Sequence, residues 1–222
     1  MPAKISGQGN GRRARERLGA QLVGPDLQWS SLMLAYYALE SGAAPWGDYG
    51  DTLWNGFAEK SREPGQPAIL VSRTGPFVPP ITRLFSCVLV TEAFRQKLSV
   101  EGFSGLSFEP AGYRKVVHIA WEQWNADAQD PSFYPETGEP EDYLLAGTHD
   151  EQLAATMPRL WAWSVQPTKG LQVRGSNTFR RELHPGTDVA REHLIIWISE
   201  RLRLWLAENA GKWVSFVPVT PR

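Results

Sequence analysis

Two stretches of this chain, residues 90–111 and 198–219, follow the same pattern at an offset of 108 residues without a gap. Glu92, Arg95, Leu98, Ser107, Phe108 and Pro110 recur as Glu200, Arg203, Leu206, Ser215, Phe216 and Pro218. Val90/Ile198, Thr91/Ser199 and Leu106/Val214 are conservative pairs. Each stretch reads as an apolar strand, a hydroxyl cap followed by an acid, an amphipathic helix, a second strand and a proline. A strand–helix–strand unit buries its helix against a sheet. Two such units predict an α+β fold, a mixed sheet with packed helices. The period is far longer than that of a solenoid repeat, and two copies make no array.

The remaining elements follow from local pattern. Residues 1–17 combine glycine, arginine and polar residues with no apolar period and read as a mobile basic arm. Residues 18–222 then form one α+β domain, with 18–148 and 149–222 as candidate lobes. Trp29, Leu32, Met33, Tyr36, Tyr37 and Leu39 fall close to a helical period and predict an amphipathic helix. Residues 68–72 and 84–90 read as buried strands, and 74–80, with three prolines, as a rigid connection. Thr91 should cap a helix over 92–100 that ends at Gly102. Residues 106–108, closed by Pro110, and 114–120 read as separate strands. Thr148 should cap a helix over 150–157. Residues 160–165 and 171–173 fit strands, and His193 should open the last strand pattern.

A net charge of −1 conceals a segregated chain. Residues 116–158 hold nine acids and neither lysine nor arginine, whereas 159–222 hold ten basic residues and five acids. The window includes a proline- and glycine-rich stretch over 125–148, and a loop of this length in a compact domain is usually functional or mobile. Asp130, Glu136, Glu139, Glu141 and Asp142 lie there beside Phe133, Tyr134 and Tyr143, with Trp121 and Trp124 just ahead. Acids crowded on one loop repel one another, and a basic partner would relieve that and associate quickly. Tyrosine and tryptophan supply the buried anchors of such contacts.

Catalytic and metal signatures are absent from the pattern. There is no HExxH, GxSxG, Walker loop or GxGxxG. One cysteine, Cys87, excludes an internal disulfide and a cysteine-built metal site, and its apolar strand marks it as a small hydrophobe. His149, Asp150 and Glu151 read as a helix-start cluster rather than ligands. No cofactor and no metal are expected. The run over 27–39 is too short for a membrane span, the N-terminus lacks the apolar core of a secretory signal, and a cytoplasmic protein is expected. The arginines of the arm lack an aromatic platform, so nucleic acid is not the expected partner.

Residues 73–80 (RTGPFVPP), 90–110 (VTEAFRQKLSVEGFSGLSFEP), 121–124 (WEQW) and 134–143 (YPETGEPEDY) together resemble immunity proteins of bacterial polymorphic toxin systems. The strand, acid–arginine helix and SF-x-P sequence in both copies is similar to the C-terminal part of the myxobacterial double-CXXCG immunity family. With Cys87 alone, this chain departs from that family's paired cysteine motifs, and no metal ligand or catalytic residue carries over. The resemblance implies a cytoplasmic, non-enzymatic protein that occupies and neutralises a cognate protein toxin. The acidic loop implies that the toxin is basic. The proposed contact residues are Trp121, Trp124, Asp130, Tyr134, Glu136, Glu139, Glu141, Asp142 and Tyr143. The rival reading of the same carboxylates is a hydrolase acting on a glycan or phosphoester.

Overall fold

A computed structural model describes residues 35–221 except 86, 121–124, 126, 169–177 and 180–185. The basic arm and the strand expected over 171–173 lie outside the described residues. The described strands form two sheets. One contains β1 (Tyr36–Ser41), β8 (Thr178–Phe179), β9 (Val189–Glu192), β10 (Ile195–Ser199) and β11 (Val214–Pro221), in the order β8-β11-β1-β10-β9. The other contains β2 (Phe57–Lys60), β3 (Ile69–Gly75), β4 (Ile81–Leu84), β5 (Cys87–Thr91), β6 (Ser107–His118) and β7 (Leu160–Ser164), in the order β2-β3-β6-β7-β5-β4. The helices are α1 (Asp48–Asn55), α2 (Glu92–Glu101), α3 (Asp142–Leu145), α4 (Glu151–Thr156) and α5 (Glu200–Ala210). The fold is α+β.

Both repeated stretches fold as strand, capped helix and strand, but the prolines expected to end them do not: Pro110 lies inside β6 and Pro218 inside β11. Thr91 and Ser199 are the N-caps of α2 and α5, and their hydroxyls accept from the backbone N–H of Phe94 and Leu202. Gly102 ends α2 in the left-handed region, φ 64°, which glycine enters without a Cβ clash. Leu98 and Leu206 stand at matching positions and are fully buried. One apolar core joins both sheets and both helices, running from Leu39, Ile81, Val90 and Leu98 to Ile198 and Leu206. Trp205 closes it, packing edge-on against Phe103 at 5.8 Å and tilted against Phe94 at 5.4 Å.

Several local expectations are corrected. Residues 36–41, expected in a helix, form β1, a strand between β10 and β11. A short apolar run satisfies either period, and here pairing on both edges decides for the strand. The run over 84–90 is two strands, because the chain turns at Phe85 and pairs β4 with β5. The strands expected over 106–108 and 114–120 are one, β6. Pro110 is tolerated because β3 pairs with β6 only from Ala111 onward, so on that side the missing N–H costs no ladder bond. Asp150, not Thr148, caps α4, accepting from the Leu153 N–H at 2.8 Å. His193 lies in the β9–β10 turn with φ 52°.

Two buried arginines fix the architecture by donating to backbone carbonyls. Arg73 is fully buried on β3, and its Nη2 donates to the carbonyls of Trp54 at 2.8 Å and Phe77 at 3.2 Å. With Thr74, whose hydroxyl donates to the Leu53 carbonyl at 2.7 Å, it satisfies the C-terminal end of α1. A cation belongs there, where the helix carbonyls point. Arg83 on β4 bridges the sheets, donating to the Leu39 carbonyl at 3.1 Å and the Leu194 carbonyl at 2.6 Å. Burial lowers the pKa of both guanidinium groups.

Candidate functional site

The acidic window is the connection between β6 and β7. Both ends are anchored in the six-stranded sheet, so the acidic loop projects from a rigid base. Along it, Pro131, Pro140 and Leu144 are buried while Asp130, Glu136 and Glu139 are exposed. Glu141, Asp142 and Tyr143 are half-buried at the start of α3. Backbone bonds fold it into consecutive turns: Gly138 N–H to Pro135 carbonyl at 3.0 Å, Asp142 N–H to Glu139 carbonyl at 3.1 Å, Leu144 N–H to Glu141 carbonyl at 2.9 Å. Gly138 has φ 85°, a value that excludes most side chains.

The aromatic residues hold this loop more than they decorate it. Trp46 Nε1 donates to the Ala128 carbonyl at 2.9 Å, and the Tyr49 hydroxyl donates to the Gly138 carbonyl. The ring of Tyr49 meets Tyr134 edge-on, centroids 5.2 Å apart. The Tyr134 hydroxyl donates to Asp130 at 3.2 Å, and that of Tyr143 to the Phe133 carbonyl. Thr137 donates to Asp142. Burial pushes the Tyr143 phenol up to about 12, so it stays a donor at any physiological pH. Phe133 and Tyr134 remain about half exposed, at 55% and 51%. Trp46 and Tyr49, which sequence reasoning missed, arrive from a glycine- and aromatic-rich stretch whose pattern carries no sign of this contact.

Among the described residues no ion pair joins the cationic C-terminal section to this loop, and Lys169, Arg174, Arg180, Arg181 and Arg222 of that section lie outside them. Among the described residues the ion pairs are Glu92–Arg95, Glu59–Arg114, Asp188–Arg201 and Glu200–Arg203. None of them involves Asp130, Glu136, Glu139, Glu141 or Asp142. Trp121 and Trp124, also expected in the contact surface, lie outside the described residues. The other predicted residues are brought together by the loop's own turns and by Tyr49.

Glu136, Asp142 and Tyr143 also line a depression of about 570 Å³ with Val117, His118 and Phe133. Two carboxylates and an imidazole thus share one open concavity, while Glu139 and Glu141 stay outside it. His149 is engaged elsewhere. Its Nδ1 accepts the Val116 backbone N–H at 2.9 Å, which places the proton of the neutral ring on Nε2. Among the described residues no group of three or more histidine, cysteine or acidic side chains is placed to hold a metal ion. No described helix is long and apolar enough to cross a membrane.

Searches against protein families, curated proteins and solved structures return no match for this chain.

Proposed function

We propose that this protein is an immunity-type binding protein that neutralises a cognate bacterial toxin, with the 130–143 loop as its contact surface. The observation that carries the reading is a set of carboxylates held outward on a braced loop without a cationic partner among the described residues. Bracing lowers the ordering cost of binding, and unpaired acids steer a basic partner. Phe133 and Tyr134 supply apolar surface beside the charge.

The test is kinetic. A basic toxin co-purified from the native cell should bind more slowly when Glu136, Glu139 and Glu141 are all changed to lysine. The association rate should fall by about tenfold or more at low salt and converge with the wild type as ionic strength rises. Unchanged affinity and salt dependence would remove the loop from the interface.

The depression shared by Glu136, Asp142 and His118 supports one other reading, a hydrolase of glycans or phosphoesters. That reading requires turnover of a chromogenic glycoside or phosphoester that Glu136→Gln abolishes. No turnover across such a panel would leave the binding role alone.

A further inference from the structure

We infer that residues 36–118 and 160–221 are two copies of one folding unit that have exchanged their central strands, so that each half completes the other's sheet. The registers carry this. In one sheet Leu89, Val90 and Thr91 oppose Ala162, Trp161 and Leu160; in the other Trp197, Ile198 and Ser199 oppose Ala38, Tyr37 and Tyr36. On the far side of the same central strands, Ser107, Phe108, Glu109, Pro110 and Ala111 oppose residues 164 back to 160. Their counterparts Ser215, Phe216, Val217, Pro218 and Val219 oppose residues 40 back to 36. Both comparisons place Tyr36 where Leu160 stands, and Tyr37 where Trp161 stands.

The equivalence continues outward at the same offset. Ile81 pairs with Val90 and Leu84 with Cys87, as Val189 pairs with Ile198 and Glu192 with Ile195. The parallel neighbour is repeated too, Leu70 beside Gly112 and Thr178 beside Thr220. The Thr91 N–H donates to the Pro80 carbonyl at 3.1 Å, and the Ser199 N–H to the Asp188 carbonyl at 2.9 Å. Matched register across five strands is far more specific than shared strand–helix grammar, since a one-residue slip would reverse every side chain.

In chain order each unit begins with its central strand, β1 or β7. Each of these strands lies in the other unit's sheet. β1 sits between β10 and β11, and β7 between β5 and β6. Each is clamped there by the helix of the unit it joins. Arg95 is held by Glu92 and stacks 4.5 Å from the Trp161 ring centre, while Trp161 Nε1 donates to Glu92. Arg203 is held by Glu200 and stacks 5.0 Å from Tyr37. Without its partner, either half would keep a sheet split at its centre, with two unpaired edges and an open core. The acidic connection over 119–159 lies outside both units. It is the tether that keeps the exchange within one chain, at an effective concentration of order millimolar.

The experiment uses the full chain with a specific protease site replacing residues 136–139 and Cys87 changed to alanine. Glu40 and Ser215, opposed and exposed, are changed to cysteine in one variant. Glu40 and Ser107, which would be opposed only without exchange, are changed in a second. After cleavage, a short thiol cross-linker should join the two fragments of the first variant on a denaturing gel and form no link in the second. The cleaved chain should elute as one particle and unfold in one transition whose midpoint rises with protein concentration. A cross-link within the N-terminal fragment of the second variant would overturn the exchange. So would fragments that separate in native buffer with their strand content intact.

Discussion

The guanidinium of Arg203 stacks over the ring of Tyr37, 5.0 Å from its centre, and so fastens the first described strand of the chain to its last helix. Arg95 over Trp161 is the matching contact in the other sheet. In both, the arginine is oriented by an acid one turn earlier, so stacking and ion pairing act on one side chain.

These clamps predict an acid-sensitive fold. Hydrogen bonding from Arg95, with help from Gln96 and Trp161, holds Glu92 down to about 2 from an ordinary 4.5, and Arg203 lowers Glu200 in the same direction. A carboxylate depressed in the folded state contributes stability that is present above its unfolded pKa and lost as pH falls through the folded one. Thermal midpoints should therefore decline between about pH 4.5 and pH 2. The double variant Glu92→Gln, Glu200→Gln should start lower at neutral pH and decline less over that window. Parallel pH profiles would show that the pairs contribute nothing.

Arg83→Met should destabilise the protein by about 2 kcal/mol or more in urea unfolding, because it leaves the Leu39 and Leu194 carbonyls without their donor. A loss below about 0.5 kcal/mol would mean that water replaces the guanidinium between the sheets.

Leu98→Ala and Leu206→Ala each empty a fully buried position of the common core and should cost about 2–5 kcal/mol. Circular dichroism and tryptophan fluorescence should report the same single transition in both variants. Two separable transitions would show that the two sheets unfold independently.

Tyr49→Phe removes the hydroxyl that donates to the Gly138 carbonyl, and Trp46→Phe the indole N–H bound to Ala128. Together they should speed amide exchange and proteolysis over 128–138 severalfold while leaving the global unfolding midpoint within about 1 °C. If the acidic loop is the contact surface, toxin affinity should fall through the same loss of bracing.

The parts of the fold legible in the sequence are those governed by near neighbours. Thr91 and Ser199 announce their helices because a cap bonds three residues ahead, and Leu98 and Leu206 mark the buried face because a helix repeats at short range. The acids from Asp130 to Glu139 were legible as lying on a loop, since proline and glycine bar a regular element there, whereas their exposure and the short helix that starts at Asp142 were not. Misreading began where a short run fits two periods. Tyr36 and Leu39 are buried and three apart, as in a helix, yet they lie on a strand whose neighbours come from the opposite end of the chain. Pro110 looked like a strand end because the side on which it is harmless depends on where β3 starts.

The sequence by itself determined the two strand–cap–helix–strand units and the acidic connection between them. Tertiary structure alone decided which central strand completes which sheet, that Trp46 and Tyr49 brace the acidic loop, and that its carboxylates are left without cations among the described residues. The reason is physical. Caps and helical faces are set by bonds within a few residues, whereas strand pairing and charge neutralisation depend on groups that only the closed chain brings together.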